Sequence, residues 1–176
     1  MKFIPTALAG VYVIEQERRE DTRGFFARTF CRDEFAAHGL ETAFVQCNTS
    51  YNKTRNTLRG MHYQADPHGE AKLVRCTRGA MFDVIVDVRP VSATYCQWVG
   101  VEITEDDGRM IYIPVGYAHG FQTLADDTEV FYQMSGMYVA SAARGVRWND
   151  PALGIRWPQS EPLVSERDAA YPDIVR

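Results

Sequence analysis

Five side chains of this sequence stand out for chemistry they could do together: Arg59 and His62 in LRGMHYQ, Lys72, His119 in GYAHGFQ, and Tyr132. Imidazole is suited to taking a proton near neutral pH, a phenol can return one, and ammonium and guanidinium groups stabilise negative charge. Such a set can remove a proton beside a carbonyl and hold the enolate that results. A lone strand histidine is ordinarily a satisfied core or surface residue, so the argument for a site rests on the company His62 and His119 keep.

A metal centre is the competing chemistry. Many small β-barrels hold a metal through a His-x-His pair, a nearby carboxylate and a later histidine, but here the pair reads His62-Tyr63-Gln64. A neutral amide is a weaker ligand than imidazole, and His119 with a distant carboxylate is a poor substitute, so no metal is expected. Cys31, Cys47, Cys76 and Cys96 form no CxxC and read as reduced, mostly buried thiols. GxGxxG, GxxxxGK[ST] and GxSxG are absent, which removes the common dinucleotide, P-loop and hydrolase fingerprints.

The elements that must position these residues are mostly strands. GVYVIEQ (10–16), GFFARTF (24–30), LRGMHYQ (58–64), KLVRCTRG (72–79), AMFDVIVDVR (80–89), QWVGVEI (97–103) and TEVFYQM (128–134) are short, rich in β-branched and aromatic residues, and bounded by turn formers. Their spacing suggests a sandwich or barrel. Only CRDEFAAHGL (31–40) reads as a helix, with Asp33 and Glu34 near its start and Gly39 as its stop. Period-two alternation puts Lys72 in phase with Val74 and Cys76, and Tyr132 in phase with Val130 and Met134. One such polar residue is a packing accident; two favour the lining of an interior cavity.

The 176 residues, 45% hydrophobic and 24% charged, fit one domain over 1–176, long enough to bury a core without disulfides or a structural metal. A formal net charge of −4 offers no basic face for nucleic acid. No stretch reads as a membrane span. The opening apolar run is broken by Pro5 and Gly10 and does not read as a secretory signal, so a cytoplasmic protein is expected.

LRGMHYQ, KLVRCTRGAMFDVIVDVR, IPVGYAHGFQTL, EVFYQMSGMY, RWNDPALGIRWP and SERDAAYP, in this order from about residue 21 to 172, resemble the dTDP-4-dehydrorhamnose 3,5-epimerase family. The resemblance implies an all-β cupin jelly roll with a few short helices, working without metal or organic cofactor as a homodimer on a nucleotide-diphosphate 4-keto-6-deoxy sugar. By motif, His62 resembles the family's general base, Asp168 the carboxylate that orients it, Tyr132 the acid on the opposite sugar face, and Lys72 the cation beside the C4 oxygen. Arg23, Arg59, His119 and Arg167 resemble substrate-binding positions. Gln46 and Asn48 resemble the segment framing the nucleotide, and Asp83 and Tyr138 further pocket residues.

Two departures bear on the nucleotide. The family usually has a Glu where RGFFAR places Arg28, and a second Glu falls in VASAAR, which has no carboxylate. A guanidinium only donates, which suits the acceptor edges of cytosine or guanine better than the N3–H of thymine. If Arg28 reaches the base, a CDP- or GDP-linked sugar is expected to be preferred. Inversion at one centre only, a non-catalytic sugar-binding cupin and a metal-dependent cupin oxygenase are the remaining alternatives.

Overall fold

The computed structural model describes residues 1–174. Its strands are β1 (Lys2–Pro5), β2 (Tyr12–Glu15), β3 (Arg19–Asp21), β4 (Gly24–Phe26), β5 (Gln46–Asn52), β6 (Thr57–Gln64), β7 (Lys72–Arg78), β8 (Ala80–Asp87), β9 (Trp98–Thr104), β10 (Arg109–Ile113), β11 (Tyr117–Thr123), β12 (Thr128–Met134), β13 (Ala143–Gly145) and β14 (Leu163–Val164). Helix α1 (Arg32–Ala37) follows β4, and α2 (Glu166–Ala169) follows β14. One sheet runs β1-β2-β10-β7-β12-β5 and the other β13-β6-β11-β8-β9, with β14 added to β6 in parallel. Strands β3 and β4 form a separate hairpin. This is the all-β jelly roll expected from the sequence.

Alternation along each strand builds the layers. Val74, Cys76, Ile111 and Val130 of the first sheet meet Met81, Ile85, Ile103 and Phe121 of the second in the central cluster. The intervening residues face outward: Leu73, Met110 and Tyr112 pack under Phe35 of α1, and Val84, Val86 and Ala118 pack under Val146 and Leu153. Because both outer faces are covered, several strands are buried on both sides, and β11 is buried at every position.

Several boundaries differ from those read in the sequence. Helix α1 is shorter than 31–40, ending where Gly39 adopts a φ of 68°. Strand β4 stops at Phe26 rather than continuing to 30, because Phe30 turns in to pack on Phe35 and Phe44, at centroid separations of 4.9 and 5.3 Å. Strands β1, β3, β5, β10, β13 and β14 were not expected. QCNTSYN lacks the apolar alternation of a strand because its interior positions are polar. Helix α2 is a second helix, too short for a helical period, and is capped by Ser165, whose side chain accepts the Asp168 N–H.

The register of β6 against β11 shifts between His119↔His62 and Phe121↔Arg59, a bulge that gives β6 one extra residue. The strands approach closely here. A Cβ at Gly60, whose φ is 136°, would lie 2.5 Å from the Gly120 Cα; one at Gly120 would lie 2.6 Å from the Met61 sulfur and 2.7 Å from the Arg59 carbonyl oxygen. The two glycines thus let the bulge form and leave Arg59 and His62 on the same interior side. Gly120→Ala is expected to lower stability by about 1–3 kcal/mol in urea denaturation, the usual cost of overpacking; unchanged stability would show that the close approach is dispensable.

Candidate active site

The two sheets do not fill their interior at one end. A cavity of about 230 Å³ remains, lined by Arg59 and His62 of β6, Lys72 of β7, His119 of β11, Tyr132 of β12, and Glu70 just ahead of β7. Tyr138, Arg144, Arg167 and Tyr171 close its rim. The period-two reading is borne out: Lys72 and Tyr132 point inward with Val74, Cys76 and Val130, and Tyr132 packs against the central cluster.

His62 is partly exposed, and its Nε2 lies 2.8 Å from Asp168 Oδ1. An ionised carboxylate only accepts, so Nε2 carries the hydrogen and, in the neutral ring, Nδ1 keeps a lone pair. Asp168 is buried and also accepts the Gly60 N–H at 3.1 Å, a donor turned toward it by the bulge. Burial would raise this carboxyl, but the His62 hydrogen bond and charge, with help from the Gly60 amide, hold it below its ordinary value. The ring of Tyr171 packs edge-on to His62, 5.7 Å between centroids, in space that a side chain at Gly145 would occupy.

A second imidazole–carboxylate pair stands beside the first. His119 Nε2 lies 2.6 Å from Asp83 Oδ1, and both residues are buried. Asp83 therefore does not line the cavity, as expected of a pocket residue, but stands behind His119 as Asp168 stands behind His62. Arg59 is held by Asn52, whose Oδ1 accepts its Nε–H at 2.7 Å. The Tyr132 phenol is pushed up chiefly by burial, with Arg59 lowering it and Glu70 raising it, which keeps the proton on at neutral pH.

The remaining expected residues divide. Gln46 and Asn48 lie on the interior side of β5 opposite Met134 and Tyr132; Gln46 accepts the Tyr138 N–H at 3.1 Å. Arg167 lies at the rim, donating to the Tyr171 hydroxyl. Arg23 and Arg28 are not brought to the cavity. The Arg23 side chain is 88% exposed at the β3–β4 turn and pairs with Asp21, and Arg28 pairs with Glu34 at 2.8 Å. Glu70, Arg144 and Tyr171 were missed; Glu70 was legible, since it precedes Lys72 by two and shares its face in an extended chain.

Gln64 is not free to ligate: its Nε2 donates to the His68 and Met137 carbonyls, and its Oε1 accepts the Val139 N–H. Among the described residues, no group of three His, Cys, Asp or Glu side chains is disposed to hold a metal ion. The four cysteines are unbridged, and the expectation of mostly buried thiols does not hold: Cys76 is buried, which pushes its thiol up to about 12, Cys31 and Cys96 are half-buried and Cys47 is exposed. Among the described residues, no helix is long and apolar enough to cross a membrane.

His62 comes from one sheet and Tyr132 from the other, so a ring bound between them has an imidazole on one face and a phenol on the opposite face. Taking a proton from carbon on one face and returning it on the other is the defining act of an epimerase, and that is the class of enzyme this fold and site define. The chain belongs to the dTDP-4-dehydrorhamnose 3,5-epimerase family, whose model matches residues 5–175. It is 41% identical over 175 residues to the dTDP-4-dehydrorhamnose 3,5-epimerase of Sinorhizobium fredii, covering 99% of this chain and 90% of that one. It resembles the crystal structure of the Bacillus anthracis enzyme with TDP and pyrophosphate bound, with a TM-score of 0.95, 38% identity and 98% of each chain covered. A Legionella pneumophila dTDP-6-deoxy-D-glucose-3,5-epimerase in complex with dTDP-4-keto-L-rhamnose matches with a TM-score of 0.93 at 35% identity, covering 98% and 92%.

A depressed carboxylate contributes stability that is present above its ordinary titration range and lost as pH falls through the depressed value. Asp168→Asn is therefore expected to melt below the parent protein at neutral pH, with the gap closing below about pH 4. A gap independent of pH would show that the ionised carboxylate contributes nothing to the fold.

Proposed function

We propose that the protein inverts C3 and C5 of dTDP-4-keto-6-deoxy-D-glucose to give dTDP-4-dehydro-L-rhamnose. Both C–H bonds lie beside the C4 carbonyl, so one base and one enolate-stabilising site serve both centres after a small movement of the ring. His62, through Nδ1, removes the proton, and Asp168 fixes the tautomer that makes this possible. Lys72 stabilises the negative charge that develops on the C4 oxygen, with His119 close by. Tyr132 returns a proton from the opposite face. The observation that carries this reading is the placement of His62 and Tyr132 on facing sheets across one cavity.

The dTDP nucleotide is favoured by the ligand of the Legionella neighbour, and Arg28, paired with Glu34 and away from the cavity, lends no support to a CDP- or GDP-linked sugar. The reading includes a homodimer in the cytoplasm. Phe25 and Phe26 are 55% and 69% exposed on the β3–β4 hairpin, an apolar face that a second copy would cover. Such a partner would also give Arg23 the access to substrate that its own chain does not.

In deuterated water the parent enzyme is expected to place deuterium at C3 and C5 of the dTDP sugar, read by NMR, before and after exhaustive chelation. His62→Ala should lower both exchanges by ~10²–10⁴-fold, the usual contribution of a general base. Exchange at one carbon only would make the protein a monoepimerase. No exchange at either would overturn the epimerase reading in favour of a sugar-binding protein, and faster turnover of a CDP- or GDP-linked sugar would overturn the choice of nucleotide.

A further inference from the structure

The mechanism above gives no role to Glu70, a carboxylate that lines the cavity. The Glu70 side chain is 3% exposed, its Oε1 lies 3.2 Å from Lys72 Nζ, and its Oε2 has no hydrogen-bond partner. A carboxylate is buried only where a counter-charge compensates its lost hydration, and the ammonium of Lys72, itself 10% exposed, is that counter-charge. The pair confines Lys72 from two directions. Of its three N–H bonds, one points toward the His62 carbonyl oxygen at 3.4 Å and a second side of the ammonium is taken by Glu70, which leaves one donor for the cavity.

We propose that Glu70 is a positioning residue for the epimerisation: its carboxylate seats the Lys72 ammonium so that the remaining N–H meets the substrate's C4 oxygen. This rests on the epimerase reading, and it assigns Glu70 an action through Lys72 rather than on substrate. A lysine without that partner would swing on a flexible four-carbon stem in a cavity that Arg59, Arg144 and Arg167 also line.

The charge of Glu70 also reaches Tyr132, whose phenol it helps to keep protonated. The other charged or titratable groups facing the cavity are His62 with Asp168 behind it, His119 with Asp83 behind it, and Arg167 of α2. Tyr63, Tyr138 and Tyr171 add phenols at its edge. Removing the anion at Glu70 takes away one of the influences that hold the proton on Tyr132, so the phenol loses it at lower pH. The alkaline limb of the kcat profile must then move toward neutrality.

Glu70→Gln keeps the size and an acceptor oxygen while deleting the charge. It is expected to fold with a melting temperature near the parent's, to lose about tenfold in kcat, less than the ~10²–10³ lost with a whole oxyanion donor, and to leave KM nearly unchanged. Its alkaline limb should lie at lower pH than the parent's. Glu70→Asp, which keeps the charge, should hold the limb at the parent pH while kcat falls, and it carries the test alone if the Gln variant does not fold. A parent-like kcat and limb in Glu70→Gln, or a limb in Glu70→Asp displaced as far as in Glu70→Gln, overturns the proposal. The Tyr132 phenol, isolated as the difference in near-ultraviolet titration made by Tyr132→Phe, should titrate at lower pH in Glu70→Gln with no substrate present. This readout needs no turnover. An unmoved phenol counts against Glu70 whatever the reaction, whereas a parent enzyme that exchanges no deuterium counts against the epimerase reading instead.

Discussion

The site depends on a hydrogen bond between residues 106 positions apart, from His62 Nε2 to Asp168. Forming it requires the chain's last described segment to return to the middle of β6, and several local interactions hold it there. Leu163 and Val164 pair with Thr57 and Leu58, Ser165 caps the short helix that carries Asp168, and the bulge in β6 offers the Gly60 amide to the same carboxylate. One buried acid thereby fixes the terminal helix, the bulge and the imidazole tautomer together. Loss of any of these would leave His62 in the cavity with the wrong nitrogen protonated or the ring free to turn.

The jelly roll supplies what a single sheet cannot, two faces looking at each other. Alternation, interrupted in β6 by its bulge, sends side chains of β6, β7, β11 and β12 into the interior, and at most positions these are apolar and close the core. Toward one end the same positions carry His62, Lys72, His119 and Tyr132 instead, and the interior stays open. Buried polar groups cost stability unless paired, and here they are paired: imidazole with carboxylate twice, ammonium with carboxylate once. Asp87 is another buried acid, at the end of β8. Burial acts to raise it, and donors on Arg89, Ser92 and Thr94 bring it well below the ordinary carboxylate range, fastening the loop after β8.

Much of this was legible before folding because period-two alternation is a local rule. The phases of Lys72 and Tyr132 could be read within their own strands, and both proved to face the cavity. The resemblance linked His62 to Asp168, a pairing that spacing alone would not reveal. What was hidden followed from context. Strand β5 is polar on its interior side, so no apolar signal marks it; Asp83 faces inward but is covered by a histidine from the neighbouring strand. Arg23 and Arg28 sit on and after an exposed hairpin, where nothing within one chain fixes their distance from the site.

The central claim is that base and acid work from opposite sheets on opposite faces of one sugar ring, and Tyr132→Phe examines it most directly. The measurement follows, in deuterated water, both deuterium entry at C3 and C5 and net inversion of the dTDP-4-keto sugar. With the phenol gone, His62 still removes and returns a proton on its own face, so exchange persists while inversion falls away. If exchange and inversion decline in strict proportion, Tyr132 positions the substrate rather than protonating it, and the two-faced account is wrong.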